Sequence, residues 1–332
     1  MLFTCATSLL LCLSARPPQP AAPAADKLAQ NPIFARIVVL GGDVADGFGL
    51  ERELGAPGSL LDVIEASILT PHQPIEKRTA LWGSTAGLPE LVGVAAGAKP
   101  TLVVALDYLV ASAYFSAEND EQRIAGVDKA LQALEVLSCP ILLGDVPDLA
   151  PAFTAQKPVI DAQHAPSPEG LKTIGAHIEQ WSAAHKNVVI APFAAWMHDV
   201  HTEEPFTIRG TTWFKSWISE LVQKDRVHPR LQGTISEWLA SADALCSARA
   251  TELAGKTDPT KIDWDPRSIY QKAYMSKEAE RQSVIDREIQ KQQRPAPPRP
   301  ARPAPPPSKE EIEKRTREKS ERAGGNGEGK GG

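Results

Sequence analysis

Two short stretches of the chain hold residue types at spacings that could do chemistry. Asp225-Arg226-Val227-His228-Pro229 puts a histidine three residues after an aspartate. Across one turn that carboxylate can accept a hydrogen bond from the imidazole. The contact fixes the tautomer and stabilises the imidazolium, which is what a general base needs. The second stretch, Gly41-Gly42-Asp43-Val44-Ala45-Asp46-Gly47-Phe48-Gly49, is a glycine-rich loop carrying two carboxylates. It is no phosphate cradle, because its spacing departs from G-x-G-x-x-G and two carboxylates would repel a pyrophosphate. Each stretch also has a plain structural reading, as a surface Asp-x-x-His-Pro turn and as a β-to-α turn with solvated aspartates.

The surrounding pattern says what must hold these residues in place. Arg36–Leu40, Thr101–Leu106, Pro140–Leu143 and Asn187–Ala191 are short apolar, β-rich runs that read as buried parallel strands. Amphipathic stretches lie between them. Ser59 can cap a helix with Asp62 in its first turn and Leu60, Leu61, Ile64 and Ile68 on one face. Further helices are expected at about 121–137, 169–185, 212–223 and 231–246. The fourth of these five would bury Trp213, Phe214, Trp217, Ile218 and Leu221. Strand, loop and helix in alternation imply a parallel sheet covered on both faces, with sites at the carboxyl ends of its strands. That rule selects Gly41–Gly49 and the loops after Leu106, Leu143 and Ala191.

The loop after the first strand and the Asp-x-x-His-Pro motif before the last helix together resemble the SGNH/GDSL hydrolases. That family opens with G-D-S-x-x-x-G and closes with D-x-x-H-P. Here Gly41-Gly42-Asp43-Val44-Ala45-Asp46-Gly47 is similar to the opening motif, with Asp43 in the place of the nucleophilic serine. Asp225 to Pro229 matches the closing motif in full. The resemblance covers about residues 33–250. It implies a three-layer α/β/α sandwich, flavodoxin-like, with a parallel sheet of about five strands. It also implies catalytic positions at Asp43, Asp225 and His228, and an oxyanion region around Gly42, Gly83, Gly87 and Asp107. Asp107 stands where the family keeps an asparagine. When ionised it cannot donate, so it would oppose an oxyanion. The family's activity is hydrolysis of carboxylic esters, so a small ester ligand such as a lipid or an acylated sugar is expected, and no cofactor. Three readings of the altered site follow. It could bind without turning over acyl esters. Asp43 or His228 could activate a water directly. Or Asp43, Asp46 and Asp107 with His228 could hold a divalent cation. A non-catalytic binding or scaffold protein, contacting partners through its basic tail, is the competing class.

Other polar residues carry weaker signals. His198, Asp199 and His201 follow the fourth strand, and a solvated loop competes there with a metal site that would lack an evident third ligand. Gly144-Asp145-Val146-Pro147-Asp148 ends a strand on the same side and could line the site or cap the next segment. Trp82 and Trp196 lie near strand ends and could line a cleft.

Composition bounds the organisation. The 332 residues are 42% hydrophobic, enough for one sizeable core with appendages. The 29 prolines cluster at residues 16–23 and 294–307, which read as linkers. Net charge is −5, but residues 291–332 carry eleven basic and six acidic side chains, a net +5, so the remainder is an acidic body without a nucleic-acid footprint. The expected organisation is a signal-peptide and Pro-rich leader at 1–25, a hydrolase-like domain at 26–255, a helical extension at 256–291 and a disordered Pro-rich, charged, Gly-rich tail at 292–332. The apolar run of residues 1–15 is too short for a comfortable membrane span and suits a signal-peptide core, though it lacks a basic n-region. Export to the periplasm or outside is therefore expected, or a cytoplasmic location if the segment is not cleaved. Cys139 and Cys246 would remain after cleavage, and Cys139 opens a buried strand, which favours a free thiol.

Overall fold

The computed structural model describes residues 32–82, 88–115, 118–156, 158–218, 220–248, 258–293 and 308–324. The N-terminal apolar run, Gly83 and Gly87 lie outside the described residues. One compact unit reaches to Val284. Its centre is a five-stranded sheet of β1 (Ile37–Gly41), β2 (Glu76–Thr79), β3 (Leu102–Ala105), β4 (Ile141–Gly144) and β5 (Val188–Ala191). The strand order is β2-β1-β3-β4-β5 and every pair is parallel. All residues of β1, β3 and β4 are buried. Because successive side chains point to opposite faces, a continuous buried run means that both faces of the sheet are covered. The α/β class with a parallel sheet of five strands is thus the one the sequence implied.

Helices lie between and after the strands. In chain order they are α1 (Asp43–Asp46), α2 (Glu51–Leu54), α3 (Leu60–Ser67), α4 (Leu88–Gly97), α5 (Val110–Tyr114), α6 (Asp120–Leu134), α7 (Pro168–Ala184), α8 (Phe193–Thr202), α9 (Lys215–Ile218), α10 (Leu231–Ser247), α11 (Pro266–Ser276) and α12 (Glu278–Gln293). Ser59 and Asp62 form a capping box at the start of α3. Ser67 at its end accepts the Trp238 indole N–H at 2.7 Å, tying α3 to α10 inside the core. Asp265-Pro266 starts α11: Asp265 caps it and Pro266 takes the first helical position, where its missing N–H costs nothing. Ile269 and Ala273 of α11 are buried, and Ile262 before it pairs with Ile68.

One expectation needs correction, and one strand was not foreseen. The helix expected over 212–223 is not there. Phe206–Ile208 (β6) and Thr211–Trp213 (β7) form an antiparallel hairpin, and α9 spans only Lys215–Ile218. Arg209 and Gly210 form the two-residue turn with φ values of 45° and 84°. Positive φ at both central positions matches the strand twist and selects a hairpin over a helix. Phe214 and Trp217, expected to be buried, are exposed. The second point concerns β2, which no apolar run announces. Its Glu-Lys-Arg-Thr sequence is half-buried at the sheet edge, where one side needs no core-forming residues.

The second unit, from Ile285, contains the helix α13 (Lys309–Gly324), exposed wherever its side chains are described. Among the described residues, no helix is long and apolar enough to cross a membrane. Cys139 and Cys246 are both free.

Candidate active site

β1 delivers the first site residue. Its carboxyl end, Gly41, passes through Gly42 directly into α1, so Asp43 stands at the first helical position at the edge of the sheet. The two glycines are there for space. A Cβ on Gly41 would overlap the Asp107 carboxylate, and one on Gly42 would overlap the Trp82 indole. Asp43 Oδ1 accepts the backbone N–H of Trp82 at 3.3 Å. Asp43 Oδ2 faces His228 Nε2 at 3.7 Å, an ion-pair separation rather than a hydrogen bond.

The Asp225–His228 turn is built locally. Asp225 Oδ1 accepts the backbone N–H groups of Val227 and His228, both at 3.0 Å. Arg226 is in the left-handed region at φ 60° to close that turn. The remaining oxygen, Asp225 Oδ2, accepts Nδ1–H of His228 at 3.0 Å. The loop is pinned by Gln223 N–H to His228 O at 2.8 Å and by Arg230 N–H to Leu221 O at 2.8 Å. The sequence-derived Asp43, Asp225 and His228 therefore meet at the carboxyl edge of the sheet, with Nδ1 and Nε2 each facing a carboxylate. Burial alone would lower the pKa of His228, but its hydrogen bond to Asp225 and the charge of Asp43 outweigh it and raise it above the ordinary histidine value. The ring is 2% exposed. It stacks against Trp82 at 5.3 Å and lies 4.4 Å from the Phe48 ring. Both faces of an imidazolium gain from such neighbours. Nε2 has no hydrogen-bond partner.

Asp107 comes to the site from the end of β3, but it does not face outward as an opponent of an oxyanion. Its carboxylate turns inward and is fully buried. Oδ1 accepts Gly42 N–H at 3.0 Å. Oδ2 accepts Val44 N–H at 2.9 Å, Ala45 N–H at 3.3 Å and Trp82 Nε1–H at 3.1 Å. The donors at the start of α1 are thus committed to an internal anion. Burial pushes the Asp107 carboxyl up to about 6 despite those bonds, with the Asp43 charge adding to the rise. Glu237 of α10 lies near enough to feel it. Both of its carboxyl oxygens are buried without a partner, and burial, followed by the charge of Asp107, holds its pKa well above the usual carboxylate range.

The remaining sequence-derived candidates fall elsewhere. Asp46 points to the sheet edge, where Lys77 Nζ and Thr79 Oγ1 donate to its Oδ1 at 2.6 and 3.0 Å. Trp196 is core, donating to Ser236 Oγ at 2.9 Å, whereas Trp82 does stand in the site. His201 Nε2 contacts the backbone oxygen of Arg226 at 2.8 Å, and His198 is exposed on the same helix. Asp145 accepts Ala194 N–H at 2.6 Å and so tethers the first turn of α8. Among the described residues, no group of three or more His, Cys, Asp or Glu could hold a metal ion. Sequence reasoning missed Glu237 and the place of Phe48 against the imidazole. An acid between Ile235 and Trp238 reads as solvent-facing until α10 is seen to be buried almost all round.

No protein-family model and no curated protein matches the chain. Among solved structures it is similar to the crystal structure of TesA, at 16% identity and TM-score 0.42, covering 66% of this chain and 99% of that one. It is similar to the lipase/acylhydrolase from Enterococcus faecalis at 15% identity and TM-score 0.40, covering 62% and 93%. It is also similar to the psychrotrophic esterase EstA from Pseudoalteromonas sp. at 17% identity and TM-score 0.37, covering 63% and 93%. The structure itself shows an α/β fold with a five-stranded parallel sheet in the order β2-β1-β3-β4-β5, and the Asp-x-x-His-Pro turn beside the loop after β1.

Proposed function

We propose that this is an SGNH/GDSL hydrolase-like protein whose ester-hydrolysing site is degenerate. It keeps the His228–Asp225 pair in working order but does not turn over acyl esters. The observation that carries the reading is the inward carboxylate of Asp107, which accepts Gly42, Val44 and Ala45 N–H and the Trp82 indole. Acyl transfer needs donors aimed at a developing oxyanion, and a buried carboxylate already holds these. Asp43 compounds the loss. A carboxylate attacks an ester carbonyl poorly, and the anhydride it would form needs the same donors. Two carboxylates flanking His228 favour the imidazolium, which cannot take a proton from water. The ligand class this leaves is a small ester-type molecule, lipid or acylated sugar, bound rather than cleaved. Incubation of the full chain with p-nitrophenyl butyrate tests it. Release at the buffer rate is expected, and turnover that disappears in Asp43→Asn would overturn the reading.

A further inference from the structure

Asp43 has one oxygen tethered and one free. Oδ1 accepts the Trp82 N–H, while Oδ2 looks at His228 Nε2 across 3.7 Å. Its side chain is 17% exposed, against 2% for His228, so the carboxylate is the member of the pair that a small molecule can reach. Nε2 of His228 has no hydrogen-bond partner, so a proton on it would be unclaimed by any protein atom. The walls are apolar: Phe48 is 47% exposed beside the imidazole, and Phe115 lies 6.0 Å from Trp82. A carboxylate is a weak nucleophile toward ester carbonyls but a competent one toward saturated carbon, where the displacement builds no oxyanion on the substrate and so needs no donor cluster. The Trp82 indole N–H, which could otherwise hold a departing anion, is committed to Asp107. A leaving oxygen that takes up a proton fits this site better than a departing halide.

From this juxtaposition we infer that Asp43 is a nucleophile toward saturated carbon, and that the site opens a small terminal epoxide to a diol through an ester on Asp43. The inference goes beyond the preceding reading and shares with it only the placement of Asp43 in the serine's position. In the first step Asp43 Oδ2 forms a bond to the epoxide carbon, the ring C–O bond breaks, and the released oxygen takes the Nε2 proton of His228. The products are a hydroxyalkyl ester of Asp43 and a neutral imidazole. Esterification removes one of the two carboxylate charges that favoured the imidazolium, so His228 becomes a better base at the point where one is needed. In the second step Nε2 takes a proton from water, and the hydroxide adds to Asp43 Cγ. The resulting oxyanion on Oδ1 is held by the Trp82 N–H. Collapse expels the diol oxygen, which takes the proton back from His228, and the Asp43 carboxylic acid left behind then passes its proton to Nε2 and restores the starting pair. Asp225 holds the ring throughout. The net reaction is epoxide plus water to diol, and the water oxygen ends in the Asp43 carboxylate.

The test uses the full chain with propylene oxide in heavy-oxygen water, read by mass spectrometry of the peptide bearing Asp43. Heavy oxygen should enter Asp43 only when the epoxide is present. His228→Gln should accumulate a hydroxypropyl ester on Asp43 without heavy oxygen. Because this variant also lacks the acid, allyl bromide, whose leaving group needs no proton, serves as a second probe and should leave an allyl ester on the same residue. Asp43→Asn should show neither label nor ester. The inference is overturned if natively folded wild type takes up no label and His228→Gln forms no ester with either probe. It is equally overturned if diol forms without label at Asp43, or if Asp46 is modified to the same extent. Turnover of p-nitrophenyl butyrate would overturn the preceding reading and leave this one standing, so the two failures are distinguishable.

Discussion

Asp107 Oδ2 accepts the indole N–H of Trp82 at 3.1 Å, tying the loop after β2 to the end of β3 beneath the site. The same carboxylate holds the start of α1, so one buried anion organises three segments. In Asp107→Asn the amide presents an N–H₂ to some of these donors and leaves others unpaired. A stability loss on the order of 1–3 kcal/mol is expected. Urea unfolding followed by tryptophan emission measures it, and a variant as stable as wild type would show that the carboxylate is not the organising group.

The buried acids set an unusual pH profile. Asp107 rises from 3.8 in the unfolded chain to about 6 when folded, so the folded state holds the extra proton between those values and stability grows as pH falls through them. Its size is roughly 3 kcal/mol at about 1.4 kcal/mol per pKa unit. Glu237, also raised, acts in the same direction. His228 is raised as well, so its contribution is fully present below its unfolded value and is lost as pH rises through the folded one. Asp46 and Asp225 are lowered, so theirs is present above 3.8 and lost as pH falls through their folded values. The urea midpoint should therefore rise from about pH 8 to about pH 5 and fall again in stronger acid. The rise should shrink in Asp107→Asn. A midpoint that falls steadily from neutral pH to about pH 5 would contradict this assignment of charges.

Helix α11 lies beyond the last motif yet belongs to the core. Ile269 is fully buried, and Ile262 lies in the same apolar cluster. Ile269→Ala should cost about 2–5 kcal/mol, the range for a truncated buried side chain. Removal of residues from 258 onward should destabilise the sheet domain to a comparable or greater degree. Thermal melts of both variants check this, and an unchanged melting temperature in the truncated chain would mean that α11 is an appendage.

Much of the fold could be read from the chain because its signals are local. The apolar runs around Val38, Val103, Leu142 and Val189 name four strands, and Ser59 with Asp62 names a helix start. The Asp225 turn is equally local, since its bonds reach only two or three residues ahead. What could not be read depends on distant partners. β2 is made a strand by its pairing with β1, not by its own Glu-Lys-Arg-Thr. The side-chain direction of Asp107 is decided by backbone N–H groups more than sixty residues earlier. Arg209-Gly210 is a hairpin signal, but Trp213, Phe214, Trp217 and Ile218 after it also fit a helical stripe and mask it.

The most direct measurement is hydrolysis of p-nitrophenyl acetate by Asp43→Ser combined with Asp107→Asn, each change repairing a separate defect. The serine hydroxyl would sit beside a histidine already oriented by Asp225. Asp107→Asn releases backbone donors at the start of α1 that the buried carboxylate now holds. If the degenerate-site account is right, kcat/KM for wild type stays at the buffer level and the double variant exceeds it by roughly a hundredfold or more. Asp43→Ser alone falls between the two, and His228→Ala in the double variant removes the gain. Wild type outperforming both variants, or activity that persists without His228, would contradict the account.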